Sequence, residues 1–212
     1  MSASAIHLVR HGEVHNPTGV LYGRIEGFGL SDLGKKMAAA AADSLADRPI
    51  QRIVSSPLQR TRESSAPWVE RFGMDPVIDE RIIEPWNRFE GTKVRFGPSM
   101  LNNPQAWPWV SNPFRPSWGE PYVEIAARML AAITEAHESV ADGEVVLVSH
   151  QLPIWTVHRF LRGERLYHDP RRRRCALSSI TTLEKRAGSF LEVGYDDPAA
   201  PLAVAAVDEG AV

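Results

Sequence analysis

Apolar residues follow two rhythms along this chain. Short unbroken apolar runs stop at polar or glycine-containing corners, and longer stretches repeat their apolar positions with helical spacing. Ala5 to Val9 is the first short run and predicts a buried strand that stops at Arg10-His11-Gly12. After a loop containing Asn16-Pro17, Ser31 is placed as an N-cap. Leu33, Met37, Ala40, Ala41 and Leu45 then mark one face of a helix that Pro49 ends. Ile53 to Ser55 predicts a second strand. Ser56-Pro57 predicts a helix start, with Ser56 as cap and proline first in the helix, running to about Phe72 before Gly73. Pro76 to Ile78 reads as a short strand, and Asp79 to Glu84 leads into a loop.

Tyr122 to Val140 predicts a strong helix, with Val123, Ala126, Ala127, Leu130 and Ile133 on one face. Val145 to Val148 is a continuous apolar run of the central parallel type, and it ends at Ser149-His150. A helix over Pro153 to Leu161 follows. Two strands, Ala176 to Leu183 and Phe190 to Tyr195, are joined at Ala187-Gly188. Alternating strands and helices predict an α/β fold with helices on both faces of the sheet, and ligands in such sheets bind at the carboxyl ends of the strands. The expected domain spans 1–196. A Trp- and Pro-rich insertion at 85–121, with Trp86, Trp107, Trp109 and Trp118, is expected to act as a lid, the alternative being an aromatic cover with no substrate contact. The Ala/Pro-rich tail at 197–212 is expected to be partly disordered.

Composition narrows the chemistry. A net charge of -2 gives no global attraction to nucleic acid or an anionic membrane, so a polyanionic small substrate would need local positive charge. The single cysteine, Cys175, excludes an intrachain disulfide and a Cys-rich metal site, and reads as a small packed residue. The N-terminus lacks the pattern of a signal peptide, and no apolar run nears the roughly 18 residues of a membrane span. A soluble, cytoplasmic protein is expected.

Local charge lies at the strand ends. His11, preceded by Arg10 and followed by Gly12, is suited to in-line attack on phosphorus, provided one ring nitrogen is free and the other holds the proton. Arg10 offers a planar fork to phosphoryl oxygens, and nearby cations disfavour a protonated His11. Gly12 is expected to leave room for the approaching phosphoryl group. Arg60 falls in the first turn of a predicted helix, where backbone N–H groups already favour an anion. His150 ends a second strand and can donate to a phosphoryl oxygen. A leaving alkoxide needs a proton; Glu84 is the chosen acid, with Glu80 and Glu90 as competitors. His15 is a pocket candidate only by nearness to His11, and His7, His137, His158 and His168 lack metal-ligand grouping.

Arg10-His11-Gly12-Glu13, Ser55-Ser56-Pro57-Leu58-Gln59-Arg60 and Ser149-His150, in this order, resemble the histidine phosphatase superfamily, also called the phosphoglycerate mutase-like family. The likeness covers roughly residues 5 to 195. It implies a three-layer α/β/α sandwich with a mostly parallel central sheet. It also implies His11 as phospho-acceptor, Arg10, Arg60 and His150 as the phosphate pocket, Glu84 as proton donor, and no metal or organic cofactor. Asn16 resembles the family's substrate-contacting asparagine, one position earlier than is common. Gln151 stands where a glycine often follows the second histidine. The glycine usual before the Trp-Glu-Gly-like segment is absent from Glu84-Pro85-Trp86-Asn87-Arg88-Phe89-Glu90-Gly91.

The resulting expectation is a phosphatase acting through a phosphohistidine on a small phosphorylated metabolite, with no nucleic acid or membrane partner. The alternatives are a phosphoglycerate mutase using the same intermediate and a non-catalytic phospho-ligand-binding protein. Arg171 to Arg174 reads as a solvated or acid-paired run, the alternative being a docking site for an acidic partner or a homodimer contact.

Overall fold

The computed structural model describes residues 2–93 and 119–208. Its centre is a six-stranded sheet: β1 (Ala5–Arg10), β2 (Ile50–Ser55), β3 (Val77–Ile78), β4 (Glu144–Ser149), β5 (Ile180–Arg186) and β6 (Ser189–Asp196). The spatial order is β3-β2-β4-β1-β5-β6. β1 to β4 are mutually parallel, β5 runs antiparallel to β1, and β6 folds back on β5. The hairpin turns at Ala187 and Gly188, both at positive φ (49° and 85°), which suits a two-residue connection between right-twisted strands.

Helices α1 (Asp32–Ser44) and α2 (Gln59–Phe72) cover one face; α3 (Tyr122–Glu138) and α4 (Gln151–Leu161) cover the other. Strand alternation sorts the core. Val146 and Val148 of β4 pack with Ala41, Ala42 and Trp68, whereas Val145 and Leu147 pack with Ile125, Met129 and Val157. The fold is therefore the expected three-layer α/β/α sandwich. Ser31 caps α1, its Oγ accepting from Gly34 N at 2.9 Å.

Some boundaries differ from the sequence reading. Leu58, not Ser56, precedes α2, so Pro57 stands before the helix and the Ser56 hydroxyl is spent elsewhere. β5 begins at Ile180, because Ser178 sits at φ 57° and turns the chain while its N–H donates to the His11 carbonyl at 3.2 Å. The described part of the tail is mostly exposed but anchored at a few positions. Ala199 is buried with Met37 and Leu177, a short helix α5 (Ala200–Ala203) follows, and Leu202 and Ala206 pack against the same cluster. Of the 85–121 insertion, 94–118 lie outside the described residues; its two ends meet in an antiparallel bridge between Asn87 and Gly119.

Candidate active site

Sheet register brings the site together. β1 and β4 are neighbours with Arg10 opposite Ser149, so His11 and His150 leave adjacent strand ends side by side. β2 flanks β4, with Ser55 opposite Val148, which delivers Ser56 and then Arg60 to the same edge. β3 pairs with the end of β2, and the chain continues through a 3-10 turn at Glu80–Ile82 to Glu84. Ser149 Oγ donates to the Ile82 carbonyl at 2.7 Å, and Arg24 Nε donates to the Glu84 carbonyl at 2.5 Å, so the carboxyl is approached from a stapled backbone.

His11 is fully buried, with its ring centroid 5.3 Å from that of His150. Its Nδ1 lies 2.8 Å from the Gly12 carbonyl. A carbonyl only accepts, so Nδ1 carries the proton and Nε2 keeps its lone pair. Burial holds His11 well below the ordinary imidazole value, and the charges of Arg60 and Arg10 push the same way. A neutral ring with a free Nε2 is the nucleophilic form.

His150 Nε2 meets Ser56 Oγ at 2.8 Å, which is where the would-be cap hydroxyl goes. Its Nδ1 lies 3.4 Å from Glu84 Oε2. Burial lowers His150 and raises Glu84, the latter against the charges of Arg60, Arg173, Arg10 and Arg128. Burial thus favours the neutral carboxyl, the form a general acid requires. Arg60 is buried; its Nη2 donates to the Gly23 carbonyl at 2.8 Å and its guanidinium lies 4.8 Å from the Tyr22 ring centre. Burial pushes the Tyr22 phenol up to about 12.

Buried polar atoms normally find partners. Here Arg10 Nε, His11 Nε2, Arg60 Nε, His150 Nδ1 and both Glu84 carboxyl oxygens are buried without a hydrogen bond among the described residues. One ligand atom each from His11, Glu84 and His150 lies within 4.8 Å of the others. Such a trio could ligate a metal, but the positive charges of Arg10 and Arg60 act on both rings, and that field favours an anion over a dication. A cavity of about 630 Å³ adjoins the cluster through Arg60 and Ile83, with Arg24, Phe28, Gln59 and Arg62 also on its walls.

The structure thus brings together Arg10, His11, Arg60, Glu84 and His150. Asn16 is half-buried. The Asn16 amide closes its own loop, Nδ2 donating to the Val20 carbonyl at 2.9 Å and Oδ1 accepting from Val20 N at 3.3 Å. His15 is exposed. Gly12 answers a packing demand: a Cβ there would lie 2.3 Å from the Gly34 carbonyl oxygen, so the first turn of α1 excludes a side chain. The arginine run divides. Arg171 pairs with Asp169 and Arg174 with Glu192, while Arg173 turns inward, Nε donating to His168 Nε2 at 2.9 Å and its charge acting on Glu84.

Sequence reasoning missed Ser56 as the His150 partner, Arg173 as a third cation near Glu84, and Asp208, whose carboxylate pairs with Arg10. The Ser-Ser-Pro segment held a signal for the first, since a serine beside a strand end has a hydroxyl to spend. Nothing local marked the other two.

Comparison with known proteins bears on the fold and the family. Rv0525 of Mycobacterium tuberculosis, described as uncharacterized, is 52% identical over 195 residues, covering 92% of this chain and 96% of its own length. Phosphoserine phosphatase 1 of Hydrogenobacter thermophilus is 30% identical over 164 residues, covering 74% of this chain and 75% of its own. Among solved structures, mycobacterial glucosyl-3-phosphoglycerate phosphatase Rv2419c superposes with a TM-score of 0.69 at 26% identity, covering 89% of this chain and 96% of that one. The defining pattern of the histidine phosphatase superfamily (branch 1) matches residues 6–198, and the chain belongs to that superfamily.

Proposed function

We propose that this protein is a phosphomonoesterase that works through a phosphohistidine on His11. The observation that carries the reading is a buried trio, His11, Glu84 and His150, whose ligand atoms lie within 4.8 Å of one another and lack partners, under the charges of Arg10 and Arg60, each of which keeps a partnerless Nε. A tetrahedral phosphoryl group matches that set. Its oxygens accept from Arg10, Arg60 and His150, and its phosphorus faces His11 Nε2.

In the first step the Nε2–P bond forms as the P–O ester bond breaks, and the Glu84 carboxyl gives its proton to the leaving oxygen. In the second, Glu84 takes a proton from water, whose oxygen attacks phosphorus, and the N–P bond breaks to release inorganic phosphate and restore both groups. Burial supplies the low-dielectric surroundings in which the two guanidiniums act most strongly on developing charge.

The cavity walls combine Arg24, Arg62 and Gln59 with Ile25, Phe28, Leu58 and Ile83, which suits a small leaving group with both polar and apolar surface. The relatives named phosphoserine phosphatase and glucosyl-3-phosphoglycerate phosphatase support a small phosphorylated metabolite as substrate class. The reading is tested by His11→Ala: hydrolysis of an aryl phosphate is expected to fall by at least about 10³-fold, while phosphate still binds. Undiminished turnover in that variant would reject the assignment.

A further inference from the structure

Asp208, in the tail, meets the guanidinium at the centre of the site. Arg10 Nη1 donates to Asp208 Oδ2 at 2.8 Å, and Nη2 donates to Asp208 Oδ1. Nη1 also donates to the Cys175 carbonyl at 2.7 Å. These bonds use the two terminal nitrogens, an end-on clamp. Nε on the other edge stays buried and partnerless, like His11 Nε2, Arg60 Nε and His150 Nδ1. Because a guanidinium is planar and rigid, fixing its terminal edge fixes where its Nε edge points.

We infer that Asp208 is a positioning residue for phosphoryl recognition: it clamps Arg10 end-on so that the Nε edge faces the anion attacked by His11. The inference rests on the phosphomonoesterase reading of this site. The competing picture is a plug, in which the tail carboxylate occupies the place of the substrate's phosphoryl group. Two observations favour the clamp. The Asp208 side chain is 43% exposed, whereas the partnerless atoms of the site are buried. The carboxylate takes only the two Nη nitrogens of Arg10 and leaves its Nε buried and partnerless, open to a different anion.

The tail is seated independently of Arg10. Val207 N donates to Glu13 Oε1 at 2.6 Å, and the other oxygen of Glu13 accepts from Ser31 Oγ, the hydroxyl that caps α1. With Ala199 buried and Leu202 and Ala206 packed beside it, the segment delivers Asp208 as part of the fold.

The test uses the full chain carrying Asp208→Ala, Asp208→Asn or Asp208→Glu. Inorganic phosphate binding is read by calorimetry, aryl phosphate turnover by steady-state kinetics, and folding by the thermal midpoint. Asp208→Ala is expected to weaken phosphate binding and raise KM by about tenfold, the scale of one charge-assisted contact, with a smaller change in kcat. Asp208→Asn should fall between, keeping shape but not charge, and Asp208→Glu should recover part of the loss. Should the alanine variant fail to fold, the asparagine variant carries the same comparison. Tighter phosphate binding without the carboxylate would establish a plug, and unchanged binding would show an idle contact; either overturns the inference. A wild-type protein that neither binds phosphate nor turns over aryl phosphate would instead reject the phosphomonoesterase reading itself, and this inference with it.

Discussion

An imidazole in water near neutral pH divides its time between charged and neutral rings and between two tautomers. His11 is held to one of these states. The Gly12 carbonyl takes Nδ1–H, and burial together with Arg60 and Arg10 removes the charged form. Its lowered value means that the neutral ring persists as pH falls through the ordinary 6.5, and that protonation begins only at more acid pH. Histidine-selective nitrogen NMR on the free protein should show the His11 ring uncharged, with Nδ1 protonated, at and below pH 6.5. Replacing Arg60 by Gln removes a repelling charge and should move that protonation upward. A His11 that titrates at 6.5 in the wild type, indifferent to Arg60, would contradict this account. Arg10, His11, Arg60 and His150 were all legible in the sequence, because each stands at the end of an apolar run or the start of a helix. Ser56 was misplaced because a serine before proline at a helix start is the usual cap. The demand of a buried imidazole for a partner decided otherwise.

Four parallel strands present their carboxyl ends on one edge, and each contributes to the site: β1 leads to His11, β2 to Ser56 and Arg60, β3 to Glu84, and β4 to His150. Element type was readable from periodicity, as for Val145 to Val148. Strand order was not, since it depends on which faces close over which helices rather than on any local run. The Gly12–Gly34 approach is the tightest expression of that packing. A Cβ on Gly34 would meet the Glu13 carbonyl oxygen at 2.0 Å, as one on Gly12 meets the Gly34 oxygen. Both obstacles are backbone, which cannot swing aside. Gly12→Ala should therefore lower the free energy of unfolding by about 1–3 kcal/mol, the usual range for overpacking, as measured by chemical denaturation. It should also reduce activity by shifting the neighbouring ring. A variant as stable as the wild type would mean that α1 can retreat from β1 without cost.

At the scale of the whole molecule, the site is assembled from both ends of the chain. Residue 10 lies in the first strand and residue 208 in the tail, yet they form one ion pair. A composition rich in alanine and proline concealed this, because the contact depends on Ala199, Leu202 and Ala206 finding the surface of α1, which no local pattern announces. The same long reach explains why Arg173 could not be told from its neighbours in the arginine run. During turnover His11 Nε2 is expected to become covalently bonded to phosphorus. The most direct measurement is rapid quenching of the enzyme during turnover of a radiolabelled aryl phosphate, followed by peptide mapping. A label that is lost in acid, survives alkali, lies on the peptide containing His11 and is absent from His11→Ala is the predicted result. Full turnover with no labelled protein at any time, or a label on another residue, would contradict it.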